Sequence, residues 1–166
     1  MLEIQQFFLN IKNEILYVNN HVFVVGIILG FLLIATYTDL KHMKIYDKFN
    51  GMFLITRMLL IVLPFGITYQ WTHLFGGLIG FFFLLVPAMV LMHKMGGDIK
   101  FMFVLGMYLG GYYTIVLLFL SCLIHFSYSV ITIFCLKKQD KKTMVPFAPF
   151  FCISYCILTL VGFLYL

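Results

Sequence analysis

The chain has 166 residues, of which 63% are hydrophobic and only 10% are charged, with a formal net charge of +5. Soluble domains are about 45–50% apolar and about 25% charged, so this composition excludes an ordinary soluble domain. The basic residues lie between apolar runs, where they report membrane topology and give no sign of nucleic-acid binding. We therefore expect an all-α polytopic membrane protein with no nucleic-acid partner, made of an interfacial segment at 1–20 and a six-span core at 21–166.

Residues 1–20 have the periodicity of an amphipathic helix. Apolar side chains recur at steps of three and four residues, at Ile4, Phe8, Ile11, Ile15 and Val18. A helix with one apolar and one polar face lies in the plane of a membrane surface. The pattern favours such a helix over a disordered tail, and the segment lacks the basic start and small-residue cleavage site of a signal peptide.

Three apolar runs follow, at 21–38, about 51–69 and about 73–92, and we interpret them as spans 1, 2 and 3. The first gives about 27 Å of helix at about 1.5 Å per residue, close to the bilayer core of about 30 Å. Several glycines in these runs are expected to let helices approach closely. They are Gly26, Gly30, Gly76, Gly77 and Gly80.

The next apolar run, at 99–136, is too long for one span. As a single helix it would measure about 57 Å, roughly twice the thickness of the bilayer core. Gly110 and Gly111 are the natural place for a break, because glycine adopts backbone conformations that other residues avoid. The run therefore predicts a short span 4 at about 98–110 and a longer span 5 at about 112–136.

A last apolar run, at about 147–166, completes six spans, and the loop charges orient them. Nine of the eleven Lys and Arg residues fall in or beside the first, third and fifth loops: Lys41, Lys44, Lys48, Lys94, Lys100, Lys137, Lys138, Lys141 and Lys142. The second and fourth loops hold none. The positive-inside rule then places the basic loops in the cytoplasm and both termini outside. Arg57, inside span 2, either snorkels to the headgroups or pairs within the bundle.

Two acidic residues are predicted to meet on the cytoplasmic side. Asp39 ends span 1 and Asp98 begins span 4, so packing of these two spans would bring them together. Two close carboxylates share one proton; the ionised one activates a water and the protonated one donates to a substrate carbonyl. The helix dipoles favour a charged Asp98 and a protonated Asp39. Gly96 and Gly97 allow a sharp turn before Asp98 and a close approach of substrate backbone.

The positions of the acids are also compatible with other roles. A lone aspartate at a helix N-terminus is usually a cap, and intramembrane carboxylates relay protons in transporters. A proton-coupled transporter component that uses Asp39 and Asp98 is therefore an alternative, and a catalytically inactive assembly factor is another. A transporter would show proton flux without proteolysis.

Three segments resemble those of the type IV prepilin peptidases, which are G-x-G-D intramembrane aspartyl proteases. Residues 38–50, TDLKHMKIYDKFN, are similar to the family's first-aspartate segment, and residues 96–110, GGDIKFMFVLGMYLG, to its second. Residues 145–151, VPFAPFF, resemble the opening of the family's last span. The resemblance implies six membrane helices, with Asp39 and Asp98 as the catalytic acids.

The same resemblance implies supporting residues around the acids. In the loop that holds the second acid, these are Gly96, Gly97 and Lys100. The residues expected to shape the substrate site are Pro146, Phe147 and Pro149. Three positions depart from the family pattern, since Met95 replaces its first motif glycine, Tyr46 its proline and Asp47 its asparagine.

The resemblance is to the short members of the family, without the extra domain that carries two C-x-x-C pairs. The four cysteines of this chain form no such pair, so we expect no metal site. No glycine-rich strand-to-helix motif is present to hold a nucleotide-like cofactor. We therefore expect no cofactor and no methyltransferase activity.

The features above predict an aspartic endopeptidase embedded in the inner or plasma membrane of a prokaryote. The expected substrate is a prepilin or pilin-like precursor with a basic leader and a following hydrophobic helix, as in type IV pilus systems. Cleavage is expected at the cytoplasmic face, just before that helix. The expected partners are the precursor peptide and the lipid bilayer.

Overall fold

A computed structural model describes residues 2–62, 70–90, 96–132 and 145–164. In these residues the fold is all-α, with seven helices. They are α1 (Leu2–Asn20), α2 (Val22–His42), α3 (Asp47–Val62), α4 (Trp71–Val90), α5 (Gly96–Leu109), α6 (Gly111–Val130) and α7 (Ala148–Leu164). The helix α1 covers the predicted interfacial segment, and α2 to α7 follow the order of the six predicted spans.

Several sequence predictions lie outside the described residues. The far ends of spans 2, 3, 5 and 6 fall at 63–69, 91–92, 133–136 and 165–166. The loop residues concerned are Lys94, Met95, Lys137, Lys138, Lys141 and Lys142.

The predicted break between spans 4 and 5 is confirmed. Helix α5 ends at Leu109 and α6 begins at Gly111, with Gly110 between them at a φ of +93°. Side chains strongly disfavour this conformation, whereas glycine adopts it freely. The two glycines therefore divide one long apolar run into two helices.

Three of the described helices are long and apolar enough to cross a membrane, namely α2, α4 and α6. Helix α7 is apolar but shorter. Large apolar side chains cover the outside of the bundle, including Leu33, Phe82, Phe119 and Leu160, each at least half exposed. Such a surface is unfavourable in water and suits lipid. The count of six membrane spans stays a prediction.

Glycines allow α4 and α5 to pack backbone against backbone. A Cβ on Gly76 would overlap the main chain of Gly106 and Gly110. A Cβ on Gly80 would lie only 2.7 Å from the carbonyl oxygen of Met102. Helices with small residues at their contact can approach closely in this way, so the short α5 is held along much of its length.

The prediction of close helix approach is confirmed for Gly76, Gly77 and Gly80. It is wrong for Gly26 and Gly30 of α2, where no atom of the described residues lies within 4 Å of the position that a Cβ would take.

Helix α1 lies across the end of the bundle opposite to the two acids. Glu14 Oε2 accepts a hydrogen bond of 2.8 Å from the N–H of Tyr113, in the first turn of α6. Asn19 Nδ2 donates to the carbonyl oxygen of Thr159, near the end of α7, at 3.1 Å. The second half of α1 is therefore packed into the bundle. Its first half exposes apolar side chains such as Phe8, and its position on a membrane surface stays a prediction.

Arg57 pairs within the bundle and does not snorkel. Its side chain is only 1% exposed. Its Nε donates to the carbonyl oxygen of Met107 at 3.1 Å, and its guanidinium lies 5.4 Å from the centre of the Tyr108 ring. The charge thus joins α3 to α5 inside the protein.

Candidate active site

Asp39 lies at the junction of α2 and α7. Helix α2 ends shortly after it, because Met43 adopts a left-handed conformation and its N–H bonds to the Asp39 carbonyl oxygen at 2.8 Å. The Asp39 side chain is 4% exposed, and its Oδ2 accepts a hydrogen bond of 3.0 Å from the N–H of Ala148. Ala148 is the first residue of α7. The first N–H groups of a helix lack partners within the helix and stabilise a negative charge, so Asp39 caps α7.

Asp98 lies in the first turn of α5 and is partly buried. Gly97, the residue before Asp98, touches the segment between α2 and α3. A Cβ on Gly97 would overlap the carbonyl oxygen of Ile45 in that segment. A Cβ on Gly96, in contrast, would meet no described atom within 4 Å. Of the two glycines, only Gly97 is required by a close contact.

The structure brings the two acids together. Asp39 and Asp98 lie at the same end of the bundle, close enough for their charges to interact. A negative charge on Asp39 disfavours a second one on Asp98, because like charges near each other repel. The packing differs from the sequence prediction, because α2 packs chiefly on α7 and α5 chiefly on α4. The acids meet where these two helix pairs come together.

Two further contacts hold the start of α5 against α3. Asn50 Nδ2 donates to the carbonyl oxygen of Gly97 at 3.0 Å, and Asn50 is only 4% exposed. Lys100 Nζ forms an ion pair of 2.9 Å with Asp47 Oδ1, and both of these side chains are largely exposed. We call these four residues, Asp47, Asn50, Gly97 and Lys100, the α3–α5 clamp.

Pro146 and Phe147 lie directly before α7. The Phe147 ring is 4.6 Å from the ring of His125 on α6, which anchors the start of α7 to its neighbour. Pro149 lies in the first turn of α7, where a missing N–H breaks no helical hydrogen bond. These residues position the Ala148 N–H, from which Asp39 accepts a hydrogen bond. Their contact with substrate stays a prediction.

The type IV leader peptidase family matches residues 26–130, which is more than half of the chain and includes both acids. The chain belongs to the type IV leader peptidase family. No curated protein and no solved structure matches it. The matched residues include the clamp as well as the acids.

An apolar groove of about 510 Å³ runs between α3, α4 and α5 of this leader peptidase. Its walls are mainly aliphatic and aromatic, and they include Leu54, Phe82 and Val104. Its polar lining comes from the clamp, through Asp47, Asn50 and Lys100. The groove therefore leads from the apolar outside of the bundle to the α3–α5 clamp. In the described part of the chain, no three His, Cys, Asp or Glu residues are placed to hold a metal ion.

Sequence reasoning missed two groups in this site. Ala148 acts through its backbone N–H, which has no side-chain signature. Asn50 was not singled out, because an asparagine beside an apolar span has many roles. One signal for the clamp was present in the sequence. Asp47 replaces the family's asparagine, and its partner Lys100 is the lysine that follows the second acid.

Proposed function

We propose that this protein is an aspartic endopeptidase that removes the leader of prepilin or pilin-like precursors. One observation carries the proposal: the two acids that the motifs single out, Asp39 and Asp98, lie close enough for their charges to interact in a chain of the leader peptidase family. A pair of carboxylates can hydrolyse a peptide bond without any other group, because one acts as base and the other as acid.

The hydrogen bond from Ala148 favours the charged form of Asp39. We therefore assign the resting proton to Asp98, the reverse of the assignment from helix dipoles. The assignment from dipoles considers only the helix to which each acid belongs. Asp39 ends α2, but it also lies at the N-terminus of α7. The tertiary contact outweighs the end of its own helix, because it is a direct hydrogen bond to the carboxylate.

In the proposed mechanism, Asp39 removes a proton from a water, and the water oxygen attacks the scissile carbonyl carbon. Asp98 gives its proton to the carbonyl oxygen, which yields a neutral diol. Asp98 then takes back a hydroxyl proton while Asp39 protonates the leaving nitrogen, and the C–N bond breaks. Both acids return to their starting states, so the cycle balances with one water consumed.

We place the reaction at the cytoplasmic face. Four exposed lysines lie at the end of the bundle that holds the acids, namely Lys41, Lys44, Lys48 and Lys100. Helix α1 lies at the other end. Basic residues are enriched on the cytoplasmic side of membrane proteins. The groove between α3, α4 and α5 offers an apolar surface to the hydrophobic helix that follows the leader.

The test is cleavage of a precursor by purified protein, read by mass spectrometry. Asp39→Asn and Asp98→Asn should each lower kcat by about a hundredfold to ten-thousandfold, because each removes one half of the acid–base pair. Glu3→Gln, an exposed acid on α1, is the matched control and should cleave normally. Full cleavage by a folded Asp98→Asn protein would refute the mechanism. Proton flux into liposomes without cleavage would instead favour the transporter.

A further inference from the structure

We infer that Asn50 is a positioning residue for Asp98, and that its hydrogen bond to Gly97 sets the direction of this acid. The inference rests on the proposed function. Asn50 does not touch the reacting atoms; it acts through the backbone of the turn that carries Asp98.

The bond lies at the peptide group that directly precedes the Cα of Asp98. Asn50 Nδ2 donates to the Gly97 carbonyl oxygen at 3.0 Å, and this carbonyl belongs to the same planar peptide unit as the nitrogen of Asp98. A hydrogen bond to that oxygen therefore restrains the orientation of the plane. Because the helical backbone of α5 restricts φ at Asp98, the plane in turn restrains the direction of the Asp98 Cα–Cβ bond.

An external constraint is needed here because the first two residues of α5 are glycines. Gly96 and Gly97 have more conformational freedom than other residues, and no described atom lies near the side-chain position of Gly96. The constraints come from the chain that follows Asp39: the Ile45 carbonyl oxygen touches Gly97 on one side, and Asn50 bonds to it on another. The same stretch of chain thus fixes both acids relative to each other.

The ion pair of the clamp restrains the start of α5 less than Asn50 does. The ion pair between Lys100 and Asp47 is largely exposed to solvent, and such pairs contribute little because water screens them. Asn50 is 4% exposed, and its Oδ1 has no hydrogen-bond partner among the described residues. Burial shields the bond from Nδ2 to Gly97 from water, so it restrains α5 more strongly than the exposed ion pair does.

Asn19 offers a closely matched control at the other end of the bundle. It is 1% exposed, its Nδ2 donates to the carbonyl oxygen of Thr159 at 3.1 Å, and its Oδ1 also lacks a partner among the described residues. Asn50→Leu and Asn19→Leu thus remove the same kind of bond and the same unpaired oxygen. Only Asn50 is connected to an acid of the site.

The experiment measures kcat, KM, the pH–rate profile and the melting temperature for both variants, with activity expressed per folded molecule. Asn50→Leu should lower kcat about ten- to a hundredfold, the effect of a misplaced catalytic group. Its KM should change less than about threefold, and the pH–rate profile should shift because the two acids no longer share a proton in the same way. Asn50→Gln, which keeps the amide donor, should recover part of kcat. Asn19→Leu should change the melting temperature alone.

Two results would overturn the inference. One is a kcat for Asn50→Leu within about twofold of the parent, and the other is an equal loss of kcat in Asn19→Leu, which would indicate a general effect of folding. Asp98→Asn, measured alongside, separates this failure from that of the proposed function. If Asp98→Asn is inactive and Asn50→Leu is fully active, only the inference fails; if Asp98→Asn cleaves normally, the proposed function fails.

Discussion

At Gly97 the lack of a side chain lets two segments of the site touch. The segment after Asp39 presents the Ile45 carbonyl oxygen to Gly97 on one side, and Asn50 bonds to the Gly97 carbonyl oxygen. At the scale of single residues, the site therefore depends on backbone groups as much as on the two carboxylates. Ala148 shows the same principle, because its backbone N–H donates the hydrogen bond to Asp39.

Gly97→Ala should destabilise the protein and abolish most cleavage. The added methyl group would overlap the Ile45 carbonyl oxygen, and overpacking of this kind costs about 1–3 kcal/mol. The turn would have to shift, and Asp98 would shift with it. Melting temperature and kcat measure the two effects.

Gly96→Ala is the adjacent control, since its methyl group would meet open space among the described residues. This variant should fold and cleave like the parent. Equal losses in the two alanine variants would show that flexibility of the turn, and not the contact with Ile45, is what the site requires.

At the scale of whole elements, α1 is held to the bundle by its polar face. Glu14 Oε2 accepts a hydrogen bond from the N–H of Tyr113 in the first turn of α6, and the backbone N–H groups of Tyr112 and Gly111 lie near the carboxylate. It thereby caps a helix that Gly110, at φ +93°, leaves without a side-chain cap. Burial raises the pKa of Glu14 above its ordinary value of 4.5, and the three backbone N–H groups partly oppose this shift.

The raised pKa of Glu14 predicts how stability depends on pH. The folded protein holds the Glu14 proton more tightly than the unfolded chain does. The contribution of this group to the free energy of unfolding is therefore fully present below about pH 4.5. It is lost as the pH rises from there through the raised pKa. Glu14→Gln keeps an oxygen that accepts the Tyr113 N–H but has no charge, so its stability should lack this fall.

Melting temperatures of the parent and the Glu14→Gln variant, taken at several pH values from acid to neutral, measure the difference. Glu3→Gln, an exposed acid on the same helix, should leave the pH dependence of the parent unchanged. A melting temperature of the parent that rises relative to that of Glu14→Gln as the pH rises would contradict the assignment.

At the scale of the whole molecule, the two ends of the bundle differ in charge. One end holds the acids, the clamp and four exposed lysines, whereas the other is covered by α1. This asymmetry favours one orientation in the membrane, with the lysine-rich end in the cytoplasm. It also places the proposed cleavage on the side where the leader of a precursor is made.

Labelling of single cysteines tests this orientation. In a protein whose four native cysteines have been replaced, Gln70→Cys should react with a membrane-impermeant maleimide added to intact cells. Lys48→Cys, which is also exposed in the structure, should react only after the membrane is opened. The reverse pattern would move both the termini and the active site to the opposite sides of the membrane.

The amino-acid sequence by itself determined the helical class, the order of the helices, the break at Gly110 and the two acids. Each of these follows from local pattern: apolar run length, glycine pairs, or a short motif around a charge. The sequence did not determine the partner of Arg57, the roles of Gly26 and Gly30, or which acid holds the proton.

Only the tertiary structure decided the contacts on which the site depends. The bonds from Ala148 to Asp39 and from Asn50 to Gly97 join residues that are far apart in the chain. Each also involves a backbone group, which is the same in every residue type except proline and so leaves no trace in the sequence. The α1 cap on α6 is of this kind as well. Such contacts form only when the helices pack. Packing brings the backbone groups at the end of one helix next to a side chain of another.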